Sequence, residues 1–194
     1  MMIALALLLI QPFQAALLTP AEQQAVAKTL KPLESRYVPA DAGAKADAGW
    51  IDDTQSFHVV SGQNGLRDTY LVAVAGDPAG QHDWQMSAAF LLIDRATGRV
   101  TPLPPHPVMT WNAYEVEAVA FRDVRGDGTR AIIIDVQGVT GIGPNGATPF
   151  DVWAVYLPNA DGTFRLDDGL QKKLDGVKTL NEAMRVSRGY FHAG

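Results

Sequence analysis

Residues 114–136 read YEVEAVAFRDVRGDGTRAIIIDV, and this stretch decides the fold. Its first half alternates, with Val116, Ala118 and Ala120 set against Glu115, Glu117 and Val119. Its second half holds three consecutive isoleucines, Ile132, Ile133 and Ile134. Both halves read as β-strands, the second apolar enough to be buried. Between them Asp123-Val-Arg-Gly-Asp-Gly128 is rich in turn formers, so the stretch predicts a hairpin.

The same pattern continues on both sides. Upstream, strands are predicted over 55–60, 67–75, 85–94 and 99–103, with Asn64-Gly65 and Arg95-Ala-Thr-Gly98 as turns. In the second of these, Tyr70, Val72 and Val74 fall on one face and Leu71 and Ala73 on the other. Downstream, 151–157 and 163–166 are strands turned at Asp161-Gly162. Residues 39–54 and 138–149, rich in Gly, Ala, Pro and Asp, read as irregular connections.

Helices are predicted only near the ends. Thr19-Pro20-Ala21-Glu22 is a capping box with Pro at the first helical position, so a helix should cover 20–31. A short helix is predicted over 169–174. A second capping box, Thr179 to Glu182, starts another over 180–186. The expected fold is mainly β: one antiparallel sandwich or bent meander of about eight strands with short N- and C-terminal helices. No helices alternate with the strands, which excludes a doubly wound fold.

The 194 residues show no internal period and make one domain by size. With 47% hydrophobic and 19% charged residues the chain can build a core. There is no cysteine, so that core works without disulfides. The net charge of −5, with no Lys/Arg run, argues against a nucleic-acid partner. Residues 1–10, MMIALALLLI, are too short to span a bilayer but match the apolar core of a secretory signal. Small residues at Ala15 and Ala16 place the expected cut there, giving a signal over 1–16 and a domain over 17–194; no Lys or Arg precedes the apolar run, and a buried N-terminal strand or helix is the alternative reading. The implied location is periplasmic or secreted, with no span in the mature chain.

The turn at Asp123 has the outline of a calcium loop, with Asp123, Asp127 and Gly128 at its first, fifth and sixth positions. The third and ninth positions hold Arg125 and Ala131, so two expected oxygens are missing. A weakened calcium site on Asp123 and Asp127 is one reading. The favoured one is a structural turn in which Arg125 or Arg130 pairs with Asp123 or Asp127 in place of the ion.

Gly141-Ile-Gly143-Pro-Asn-Gly146 spells a dinucleotide fingerprint, but Pro144 and Pro149 prevent the helix such a site requires. It reads instead as an exposed loop for a partner, with Thr140, Asn145 and Thr148 as polar contacts; Trp111, like Trp84, reads equally as an aromatic anchor for that partner or as a lid on the core. No serine lies in a nucleophile elbow, and the four histidines have no short metal spacing. His82 and His106 fall in turns and read as solvated. Glu115 and Glu117 could pair for glycoside hydrolysis, with Asp135 as a further carboxylate, but a solvated strand face is the preferred reading.

The strand, Asp-rich turn and apolar strand over 121–134 resemble the calcium loops of FG-GAP and VCBS-type β-repeats. With the signal and the strand layout, the chain resembles periplasmic inhibitors of cell-wall lytic enzymes, the i-type lysozyme inhibitor-like and immunity proteins. That resemblance implies a non-catalytic protein whose partner is a peptidoglycan hydrolase, blocked by a protruding loop, for which 138–149 is the candidate. It implies no cofactor. The FG-GAP likeness implies, as an alternative, a calcium-dependent envelope or adhesion module.

Overall fold

The computed structural model describes residues 12–36, 51–63, 65–76, 87–110, 112–139 and 148–192. Nine strands form two antiparallel sheets. The first holds β1 (Gln14–Leu17), β2 (Ile51–Val60), β3 (Asp68–Gly76), β4 (Ser87–Asp94) and β5 (Val100–Pro102), in that order. The second holds β6 (Asn112–Arg122), β7 (Ala131–Val139), β8 (Pro149–Pro158) and β9 (Phe164–Arg165). The three helices are α1 (Pro20–Leu30), α2 (Asp168–Lys173) and α3 (Leu180–His192).

Side-chain alternation sorts the strands into layers. Leu71 and Ala73 of β3, with Phe90 and Leu92 of β4, meet Phe121, Ile132, Ile134, Val136 and Tyr156 of the other sheet in one core. The opposite faces are covered by helices. Tyr70, Val72 and Val74 lie with Val26 and Leu30 of α1. Ile133, Trp153 and Val155 lie with Leu170 of α2 and Ala183 of α3. The order of layers is therefore helix, sheet, sheet, helices. This is why β7 is buried on both faces, with Ile132, Ile133 and Ile134 all at 0% exposure, each contributing roughly 2–3 kcal/mol of burial.

The mainly β class and the paired sheets agree with the sequence, with nine strands where about eight were expected. Two boundaries differ. β2 starts at Ile51, inside the expected irregular segment. A register shift between Asp52 and Phe57 absorbs the polar Asp52-Asp-Thr54, and Asp52 accepts the backbone N–H of Thr54 at 3.0 Å and of Gln55 at 3.2 Å. α3 runs six residues past the expected end, because Tyr190 and Phe191 still pack on the second sheet. The first capping box forms as read: Glu22 N–H donates to Thr19 Oγ1 at 3.4 Å, and Thr19 N–H to Glu22 Oε2 at 2.9 Å.

β1 pairs with β2 from Gln14 opposite Val60 to Leu17 opposite Phe57. The cut expected after Ala15 or Ala16 falls inside this strand, so the whole of β1 survives only if cleavage precedes Gln14.

Candidate functional site

Every second turn of a meander returns to the same end of its sheet. At one end the 61–67 and 95–99 turns of the first sheet therefore meet the 123–130 and 159–163 turns of the second. Gly65 marks the closeness of this meeting. Its φ is +83°, and a Cβ there would stand 2.2 Å from the carbonyl oxygen of Gly162. Glycine satisfies both demands, positive φ and backbone against backbone.

The 123–130 loop is built around one carboxylate. Asp123 Oδ1 accepts the N–H of Arg125 at 3.1 Å and of Gly126 at 2.6 Å, and Oδ2 that of Gly128 at 2.8 Å. Gly126 at φ +76° and Gly128 at φ +84° allow the chain to curl around it. Burial opposes ionisation of Asp123, but these amides outweigh it and hold the carboxyl below its ordinary value. Asp127 accepts the N–H of Thr129 at 2.8 Å.

The expectation that Arg125 or Arg130 replaces the ion is corrected. Neither pairs with Asp123 or Asp127. Backbone amides neutralise Asp123 instead, which needs no ordering of a long side chain. Arg125 stacks 5.3 Å from the Phe191 ring centroid, and Arg130 lies 4.4 Å from that of Phe13. The residues present do not fit a calcium ion: both Asp123 oxygens already accept amides, and Arg125 and Ala131 offer no side-chain oxygen. Among the described residues no three His, Asp or Glu side chains come together as a metal site.

Beside this loop lies a groove of about 1060 Å³. Its walls come from both sheets: the Ser61–Gln63 turn, the 125–130 loop, the turn at Asn159 and the segment at Phe13. Four arginines line it, Arg67, Arg95, Arg125 and Arg130, against two aspartates, Asp68 and Asp127. A chain of net charge −5 thus concentrates positive charge in this groove.

The arginines are not equivalent. Arg95 is committed: it donates to Asp68 Oδ1 at 2.8 Å and to the Tyr70 hydroxyl at 2.8 Å. Arg67, Arg125 and Arg130 have no carboxylate partner among the described residues. Gln63 fixes the backbone beneath Arg130. Its Nε2 donates to the Arg130 carbonyl at 2.9 Å, and its Oε1 accepts the Arg130 N–H at 2.6 Å. One side-chain amide therefore ties the β2–β3 turn of one sheet to the β6–β7 turn of the other.

The committed end of the groove is anchored to α1. His58 stands 2.9 Å from Glu22 and 2.9 Å from Asp68. Burial works against ionisation of Asp68, but the Arg95 and His58 hydrogen bonds win and hold its carboxyl low. In Glu22 burial is likewise outweighed, mainly by hydrogen bonds from Thr19.

The residues singled out in the sequence lie elsewhere. Thr140, Asn145 and Trp111 are outside the described residues. Thr148 is exposed just before β8, and β7 ends at Val139, at the sandwich end opposite the groove. Glu115 and Glu117 are exposed, and a register shift between Val116 and Ala118 breaks their simple strand alternation. Asp135 is buried, and its carboxyl is raised to about 7, first by burial and then by the charges of Asp151 and Glu117. That suits a general acid, but neither described cavity is lined by Asp135, Glu115 or Glu117. His106, read as solvated, is 2% exposed: its ring inserts between Phe90 of the first sheet and Tyr156 of the second while Pro105 beside it stays exposed, and burial lowers its pKa to about 3.

The sequence reading missed Gln63, Arg67 and Arg130 as site residues. The available signal was that Arg67, Arg95, Arg125 and Arg130 all sit in or beside turns. Comparison with protein-family models, with curated proteins and with solved structures found no significant match.

Proposed function

We propose that this is a non-catalytic binding protein of the periplasm or cell exterior, which takes an anionic group of its partner into the arginine groove. One observation carries the reading: Arg67, Arg125 and Arg130 line the groove, and among the described residues none of the three has a carboxylate partner. Guanidinium groups held this way favour bound carboxylate or phosphate.

The narrower reading takes the partner to be a peptidoglycan hydrolase. It rests on the resemblance over 121–134. The groove supports it, because glycan-cleaving clefts work through paired carboxylates, which are natural partners for arginine. The test is titration against a panel of lysozymes, followed by light scattering of a cell-wall suspension and by direct binding. Inhibition that is lost when Arg67, Arg125 and Arg130 are all changed to Ala supports the reading. No binding to any of the enzymes at micromolar concentration removes it. Export is tested separately, by fractionation and by the mass of the mature N-terminus.

A further inference from the structure

Resting on that binding role, we infer that the groove's ligand is a short peptide segment of the partner in which an acidic side chain or terminal carboxylate stands beside apolar residues. Size is the first argument. A cavity of about 1060 Å³ is far larger than a lone oxyanion needs and matches a ligand of several residues. Composition is the second. Val60, Pro158 and Ala160 line the same groove as the arginines, so a bare anion would leave an apolar wall in water.

Charge is the third argument, and it selects the class. The chain is −5 overall, so an extended polyanion would leave the groove over a surface that repels it. A segment with one or two carboxylates ends its charge where the arginines end. Preorganisation is the fourth. The Arg130 backbone is held by Gln63, and the Arg125 guanidinium rests on Phe191. Side chains already ordered lose less entropy when they bind.

Arg67, Arg125 and Arg130 are the binding residues, and Gln63 is a positioning residue. The peptide then bridges a turn of the first sheet to a turn of the second.

The test uses the full chain and three probes: capped Leu-Glu-Val-Glu-Leu, its counterpart with both Glu changed to Gln, and inorganic phosphate. Affinities come from calorimetry, and the location from amide chemical shifts. The Glu peptide should bind at least about tenfold more tightly than the Gln peptide, as charge-assisted hydrogen bonds predict. Shifts should centre on Gln63, Arg67, Gly126, Gly128 and Asn159. Arg67→Ala and Arg125→Ala should each weaken binding about tenfold with an unchanged thermal melt. Gln63→Met, uncharged and of similar length, loses both bonds to the Arg130 backbone; it should weaken the Glu peptide more than phosphate.

Equal affinity for the two peptides, shifts away from the groove, or no peptide binding at millimolar concentration overturns the inference. Phosphate binding as tightly as the Glu peptide also overturns it, since the site would then read only the anion. A partner that binds the wild type and the triple Arg→Ala variant equally defeats the groove assignment while leaving a binding protein. No partner at all defeats the broader reading.

Discussion

Changing Asp135 to Asn should abolish a loss of stability with rising pH in the neutral range. Asp135 sits on β7, opposite Ala118 of β6 and Trp153 of β8, at 5% exposure. Its Oδ1 has no hydrogen-bond partner, and the Val152 N–H favours ionisation only in part. Burial, then Asp151 and Glu117, raise the carboxyl from 3.8 to about 7. At 1.36 kcal/mol per pH unit this amounts to about 4 kcal/mol. Between pH 4 and 7 the folded protein keeps a proton that the unfolded chain has released. Stability therefore falls as pH rises through this window, the opposite of the usual carboxylate.

Asparagine has nearly the shape of the protonated acid and cannot ionise, so the variant should lose this slope. Urea denaturation at pH 5, 6, 7 and 8 measures it. The wild type should lose about 2.5 kcal/mol relative to Asp135→Asn across the series, since pH 5 already lies above the unfolded carboxyl value, with unchanged dependence on urea. Asp151→Asn should shrink the loss by removing one of the two repelling charges. Parallel pH profiles for wild type and Asp135→Asn, or an Asp135 carboxyl carbon that titrates near 4 by NMR, would refute the reasoning.

Four further outcomes are expected. Gly98→Ala, at φ +69° with no atom within 4 Å of the new Cβ, should lose about 1 kcal/mol from backbone strain, whereas Gly65→Ala, with Gly162 O at 2.2 Å, should lose at least about 3; equal losses in denaturant would deny the contact between turns. Glu22 and Asp68 are held low, so their stabilisation is present above the unfolded carboxyl range and fades as pH falls through their folded values. Asp68→Asn should thus destabilise by less than about 1 kcal/mol at pH 7, its side chain being half exposed, and converge with wild type near pH 2 in urea titrations. Millimolar calcium against chelator should leave the thermal midpoint unchanged, and a rise of several degrees would restore Asp123 as a metal ligand. A chain beginning at Leu17 should be about 2 kcal/mol less stable than one beginning at Pro12, because it loses most of β1 and the Phe13 ring, 5.4 Å from that of Phe121; equal urea midpoints would make β1 dispensable.

Local chemistry was legible residue by residue. The split of β3 into Tyr70, Val72 and Val74 against Leu71 and Ala73 follows from the period of two, and the two faces enter different cores. Thr19 and Glu22 announce their helix because the capping box is closed within four residues. The Asp123 loop was recognisable as a turn for the same reason. What neutralises its carboxylate was not: the choice between an arginine and a backbone amide depends on φ values that Gly126 and Gly128 permit but do not dictate. His106 misled because its proline-rich segment does run at the surface, with Pro105 exposed, while the imidazole alone turns inward onto Phe90 and Tyr156.

The sequence by itself determined eight of the nine strands, their two faces and the turns between them, since each depends on neighbours a few residues away, but not β1, which lies in the stretch read as a signal. Tertiary structure alone decided that Gln63 grips Arg130, sixty-seven positions later, and that Arg67, Arg125 and Arg130 share one groove. The physical reason is that turns are brought together by how two meanders stack. That stacking is set by the summed burial of three apolar layers, not by anything written in the turns themselves.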